Sequence, residues 1–173
     1  MTETISSPNP KNCPDPNGLA DPNGLPDPRV ARRHWMSVLA RASAAAIESG
    51  LTEVAPLPVW TRVRGPETGL AMVRGRAGGA GGVFNMGEMT VTRCTVRLES
   101  GTAGHAYVAG RDERRAEIAA VADALLQDPA LSPALRAGLI AELAEAQRLA
   151  RQERAEKAAA TRVDFFAMRT TRS

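Results

Sequence analysis

The sequence predicts an α+β fold: a small antiparallel sheet of about four strands packed with N-terminal helices and two C-terminal helices, one of them long. Three observations carry that prediction. From Glu88 to Glu99, Thr90, Thr92, Cys94, Val96 and Leu98 alternate with Met89, Val91, Arg93, Thr95 and Arg97, the period of two that a strand with one buried face requires. Ser100-Gly101 then supplies a tight turn into Thr102 to Val108, which makes the pair a hairpin. On both sides of this stretch the apolar spacing lengthens to three and four behind capping residues, as in helices.

Residues 1 to 27 hold six of the 12 prolines and a tandem DPNGL, at Asp15 to Leu19 and at Asp21 to Leu25. Asp-Pro and Asn-Gly pairs form isolated turns with nothing to bury, so this segment is expected to be a disordered tail. Residues 28 to 173 then form a single α+β domain, a size that a chain of 173 residues with 43% hydrophobic and 24% charged residues accommodates. Aromatics are only 3%, so the core must come from Ala, Leu, Val and Met, which bury less area each; such a thin core hints at an obligate partner.

Asp27 before Pro28 starts a helix in which Ala31, Trp35, Val38, Leu39 and Ala42 share a face. Ser43 either caps a second short helix through Ile47 to Val54 or lies within the first, which then continues past a weak break at Ser49-Gly50. Pro56 and Pro58 end the helical part, and Val59 to Arg64 reads as an edge strand. Leu70, Met72 and Arg74 alternate with Ala71, Val73 and Gly75, a further strand half buried on one face.

Five of the 15 glycines, Gly75, Gly78, Gly79, Gly81 and Gly82, follow within eight positions, with Arg74 and Arg76 at the mouth of the loop. Such backbone can approach a ligand closely. Phosphate-binding loops need a following Gly-Lys-Ser/Thr and a helix, and this loop has neither, nor does it fit a dinucleotide fingerprint. A structural connection and an anion contact both remain open. Arg74, Arg76, Gly78, Gly79, Arg93 and Arg111 are the candidates for holding phosphate, since one end of a small sheet can gather these guanidinium groups. Pairing of the same arginines with Glu67, Glu88 and Glu99 is the competing reading.

Asp112 caps a helix with Ile118, Val121, Ala122 and Leu125 on one face, ending before Asp128-Pro129. Ser132-Pro133 restarts a helix whose stripe is Leu135, Leu139, Leu143 and Ala146 and which runs to about Ala159, on the order of 40 Å at 1.5 Å per residue. Beyond it, Phe165 and Phe166 are two of only three Phe and are candidates for contact with a partner chain.

Basic charge comes almost wholly from arginine, Lys11 and Lys157 being the only lysines among 22 basic residues. Arginine favours bidentate contact with phosphate and carboxylate, and a genomic bias toward Arg and Ala explains the same count. A net charge of +3, a Glu-rich last helix and few aromatics argue against nucleic acid as a partner. No apolar run of membrane-spanning length and no signal peptide is present, so the expectation is a cytoplasmic protein without membrane contact. Cys13 and Cys94 lie far apart without metal-ligand spacing, so neither zinc nor a disulfide framework is expected. Histidines are two, His34 and His105, and no nucleophile elbow or paired carboxylate accompanies them. His105 is the lone candidate for proton transfer; no catalytic residue is otherwise assigned, and the chain reads as part of a site.

The ordered set RRHWMSVLARAS, PETGLAMVRGRAGG, FNMGEMTVTR, VRLESGTAGHAYVAGRD, AEIAAVADAL and TRVDFF resembles the PhnG family of the bacterial carbon-phosphorus lyase system, over about Val30 to Arg169. The tail before Pro28 departs from the family. The resemblance implies organic phosphonate catabolism. It implies a subunit of alpha-D-ribose 1-methylphosphonate 5-triphosphate synthase, a transferase that displaces adenine from ATP by methylphosphonate, with the chain inactive alone. Implied partners are the PhnH, PhnI and PhnJ subunits, PhnI the most direct, with PhnL needed functionally. ATP is then a substrate of the complex, and no cofactor is held by this chain alone. The alternative is a purely structural adaptor of the complex with no direct substrate contact.

Overall fold

The structure, a computed structural model, describes residues 28–76 and 82–161. The expected tail, Gly78 and Gly79 of the loop, and Phe165 and Phe166 lie outside the described residues. Helix α1 is Pro28–Leu39, α2 is Ala44–Val54, β1 is Trp60–Gly75, β2 is Phe84–Leu98, β3 is Ala103–Ala109 and α3 is Glu113–Leu125. Helix α4, Ser132–Leu135, passes through a π turn, Arg136–Ile140, into α5, Ala141–Ala160, so the final helical run spans 29 residues. The chain divides into two units, Met1–His34 and Trp35–Ser173. Within the first, the described residues form the opening turns of α1; the second holds the sheet and the remaining helices.

Three antiparallel strands in the order β1-β2-β3 form the sheet, one fewer than expected. The segments read as two strands, Val59 to Arg64 and Leu70 to Arg74, are one continuous β1. Gly65-Pro66 lies between them, and because β1 is an edge strand the missing proline donor is tolerated. Register shifts between Arg62 and Arg64 and between Arg64 and Glu67 absorb the extra residues as bulges. The β2–β3 hairpin matches the sequence reading, with Gly101 at φ +88° in the turn, where an L side chain would be strained.

Layering follows from which faces are apolar. Thr92, Cys94, Val96 and Leu98 of β2 and Gly104, Ala106 and Val108 of β3 alternate inward, and α3 lies across them. Helix α2 packs on α3, and Leu135, Leu139 and Ile140 of the α4 and π-turn segment pack with α2. Sandwiched in this way, α3 buries every residue from Ala116 to Leu125, so the single face read from its spacing is too narrow. A helix apolar on all sides is what an internal position demands.

Small residues set the distances between layers. A Cβ at Gly104 would stand 2.0 Å from the Ala120 carbonyl oxygen, so glycine here lets α3 lie directly on β3. At Gly50 a Cβ would meet Leu139 Cδ1 at 2.5 Å, so the glycine that looked like a weak break serves packing inside α2. Ser43 caps α2, its Oγ accepting from Ala46 N at 3.2 Å, and Asp112 caps α3, accepting from Arg115 N at 2.9 Å. Among the described residues no helix is long and apolar enough to cross a membrane.

Candidate functional site

Strand β3 ends at Ala109, opposite Val91, and Gly110 N still donates to the Thr90 carbonyl, so from Met89 outward β2 is paired with β1 alone. Residues Leu70–Gly75 and Phe84–Met89 therefore form a two-stranded arm that extends on the order of 20 Å beyond the sheet at about 3.3 Å per residue. Leu70 and Met72 continue the sheet face that α3 covers further in, while the register shift between Val73 and Arg74 sets Phe84 opposite Gly75, on the other face; all are exposed, as is Met86. Leu70 is 67% and Met86 63% exposed. The strand expected to be half buried at Leu70 to Arg74 is thus exposed except at Ala71, because the helical layer ends short of it. A two-stranded ribbon without a third strand or a helix is marginal in water, and apolar side chains clustered on it mark a surface that a partner covers.

In the three-stranded part of the sheet, at the end away from the arm, β1 is held to α3 by charge. Glu117 on α3, nearly buried, accepts from Arg62 Nε and Nη2, both at 2.8 Å, and from Trp60 Nε1 at 3.0 Å. Hydrogen bonding from Arg62, reinforced by that from Trp60, holds the carboxyl below the usual Glu range against the upward push of burial. Cys94 lies under the same strand, its Sγ 3.5 Å from the Arg64 carbonyl oxygen, and burial pushes its thiol pKa up, the direction of an unreactive cysteine.

Of the residues singled out from the sequence, Arg74 and Arg76 stand at the outer end of the arm, Arg74 opposite Asn85. Arg93 sits eight positions further along β2, on the order of 26 Å away in a strand, where Nε and Nη2 donate to Glu67 at 3.2 and 3.0 Å. Arg111 follows the end of β3, exposed. Strand geometry thus separates Arg74 and Arg76 from Arg93 rather than gathering them. His105 is exposed, its Nδ1 3.1 Å from Thr95 Oγ1, and its backbone N–H donates to Asp123 Oδ2 at 2.9 Å. Among the described residues no carboxylate contacts its ring, and no group of three His, Cys, Asp or Glu side chains is placed to hold a metal ion.

Two acids missed from the sequence prove central, Glu117 and Asp123. Asp123 is fully buried and accepts from Trp35 Nε1 at 2.9 Å, from His105 N and from Gln127 Nε2 at 3.3 Å. The available signal was an acid inside the otherwise apolar AEIAAVADAL, since a buried carboxylate must find donors.

Comparison with known proteins gives concordant matches. Residues 30–170 match the family model described as phosphonate metabolism protein PhnG. The chain is 45% identical over 137 residues, covering 79% of this chain and 87% of the relative, to alpha-D-ribose 1-methylphosphonate 5-triphosphate synthase subunit PhnG of Rhizobium meliloti (strain 1021).

Proposed function

The chain belongs to the PhnG family, and from that premise we propose that it serves as a subunit of a synthase forming alpha-D-ribose 1-methylphosphonate 5-triphosphate in phosphonate catabolism. The reaction is displacement of adenine from ATP by methylphosphonate, carried out together with PhnH, PhnI and PhnJ, and with PhnL required. The observation that carries the subunit reading is the uncovered β1–β2 arm. Fully burying a Leu, Met or Phe side chain contributes roughly 1.5–3 kcal/mol, so covering Leu70, Met72, Phe84 and Met86 would supply much of a docking energy.

Chemistry agrees with a shared site. Displacement at the anomeric carbon develops positive charge on the sugar and brings an anionic phosphonate toward an anionic triphosphate, so phosphate charge must be neutralised and water excluded. Arginine can do the first; the acid that protonates the leaving base is assigned to a neighbouring subunit.

Co-expression with PhnH, PhnI and PhnJ tests the docking. Leu70→Asp with Met86→Asp is expected to abolish co-purification while leaving the helical circular dichroism of the free chain unchanged. Undiminished co-purification of that variant would remove the arm from the interface.

A further inference from the structure

A groove of about 690 Å³ lies between the α1–α2 turn, the end of β3, the start of α3 and the first four turns of α5. Four guanidinium groups line it, from Arg41, Arg115, Arg151 and Arg154, with Ser43 and Gln147 between them and no carboxylate among the lining side chains. Arg151 and Arg154 are three apart on α5 and so share a face. Nε of Arg41, Arg151 and Arg154 donates to the backbone carbonyl four residues earlier, at 2.8, 3.2 and 2.9 Å, which anchors each guanidinium and leaves its outer nitrogens without a partner among the described residues.

The pairing pattern is selective. On other faces of α5, Arg148 pairs with Glu145 at 2.8 Å and Lys157 with Glu153 at 2.6 Å. None of Arg41, Arg151 and Arg154 forms an ion pair with a described residue. Arg115 adds an independent sign: its Nη2 is used by the Ala109 carbonyl, while its Nε is buried and is the only such side-chain atom among the described residues without a hydrogen-bond partner. Asp112 Oδ2 is 3.9 Å from that Nε, near enough for attraction and too far for a hydrogen bond. A buried donor left unmade costs about 1–3 kcal/mol, so the guanidinium of Arg115 is incompletely paired where that residue borders the groove. Ser43, in the groove wall, is also the cap of α2, whose dipole adds positive potential there.

We propose that this groove is a polyphosphate site, binding the triphosphate chain carried by the nucleotide substrate and by the 5-triphosphate product of the reaction proposed above, on which the assignment of those two ligands rests. Planar guanidinium groups grip phosphate oxygens in pairs, and four of them around one groove match an extended chain of phosphates better than a single one.

Titration calorimetry on the purified full-length chain, with sodium tripolyphosphate, ATP, AMP and inorganic phosphate as separate titrants, tests the site. Tripolyphosphate and ATP should bind with similar affinity, AMP and phosphate at least tenfold more weakly. The double variant Arg151→Ala/Arg154→Ala, on an exposed stretch of α5 where folding is not at stake, should lose tenfold or more, and Arg148→Ala should stay within twofold of the parent. Absence of tripolyphosphate binding, or binding undiminished in the double variant, would overturn the proposal. So would loss of co-purification with PhnI in the double variant without any polyphosphate binding by the parent, since the groove would then hold a protein. These readouts need no turnover: a failed titration leaves the synthase reading standing, and an assembled complex without product sinks that reading alone.

Discussion

Trp35 and Asp123, 88 positions apart, are joined by a hydrogen bond of 2.9 Å from the indole Nε1 to Oδ1 in the interior of the fold. The other oxygen of Asp123 holds the backbone N–H of His105, so one carboxyl ties the end of α1, the last turn of α3 and the edge strand β3 together. Asp123→Ala would strand at least two buried donors, each costing about 1–3 kcal/mol. The expected result is a loss of more than about 2 kcal/mol in urea unfolding, with the indole fluorescence of Trp35 changed in the native state.

Gly104 is predicted to be intolerant of any side chain. Its would-be Cβ falls 2.0 Å from the Ala120 oxygen and 2.7 Å from Ala124 N, both backbone atoms that no rotamer can move aside. Overpacking of this kind costs about 1–3 kcal/mol or more, because α3 must lift off β3. Gly104→Ala should lower the thermal midpoint by several degrees, whereas Gly69→Ala, on the edge strand β1 with nothing within 4 Å, should leave it nearly unchanged.

Acid sensitivity should trace to Glu117. Its pKa in the fold lies below the ordinary Glu value of about 4.3, so its ionised form favours the folded state. That contribution is fully present above the ordinary value and is lost as pH falls through the lowered one. Urea midpoints measured from pH 7 down to pH 3 should show Glu117→Gln less stable than the parent at pH 7 and converging on it at the acid end. A constant gap across the range would show that the ion pair with Arg62 contributes nothing that depends on charge.

Much of the fold was legible because its signals are local. The alternation from Thr90 to Leu98, the Ser100-Gly101 turn and the caps at Ser43 and Asp112 each specify an element from a few neighbouring residues. What was not legible depends on relations across the chain. The continuity of β1 through Gly65-Pro66 rests on its place at the sheet edge, and the exposure of Leu70 and Met72 depends on where β3 and α3 stop. The arginine candidates suffered most, since residues close in sequence along extended strands end far apart. Arg74 and Arg93 were expected together, while Arg41, Arg115, Arg151 and Arg154, from three separate stretches of sequence, meet only through the packing of α5.

The central claim is that this chain completes a reaction it does not perform alone. Formation of alpha-D-ribose 1-methylphosphonate 5-triphosphate from ATP and methylphosphonate, followed by phosphorus NMR, measures it directly in three mixtures: the chain alone, PhnH, PhnI, PhnJ and PhnL without it, and all together. The account predicts product only in the complete mixture. Product from the isolated chain, or an undiminished rate from the partners in its absence, would contradict it.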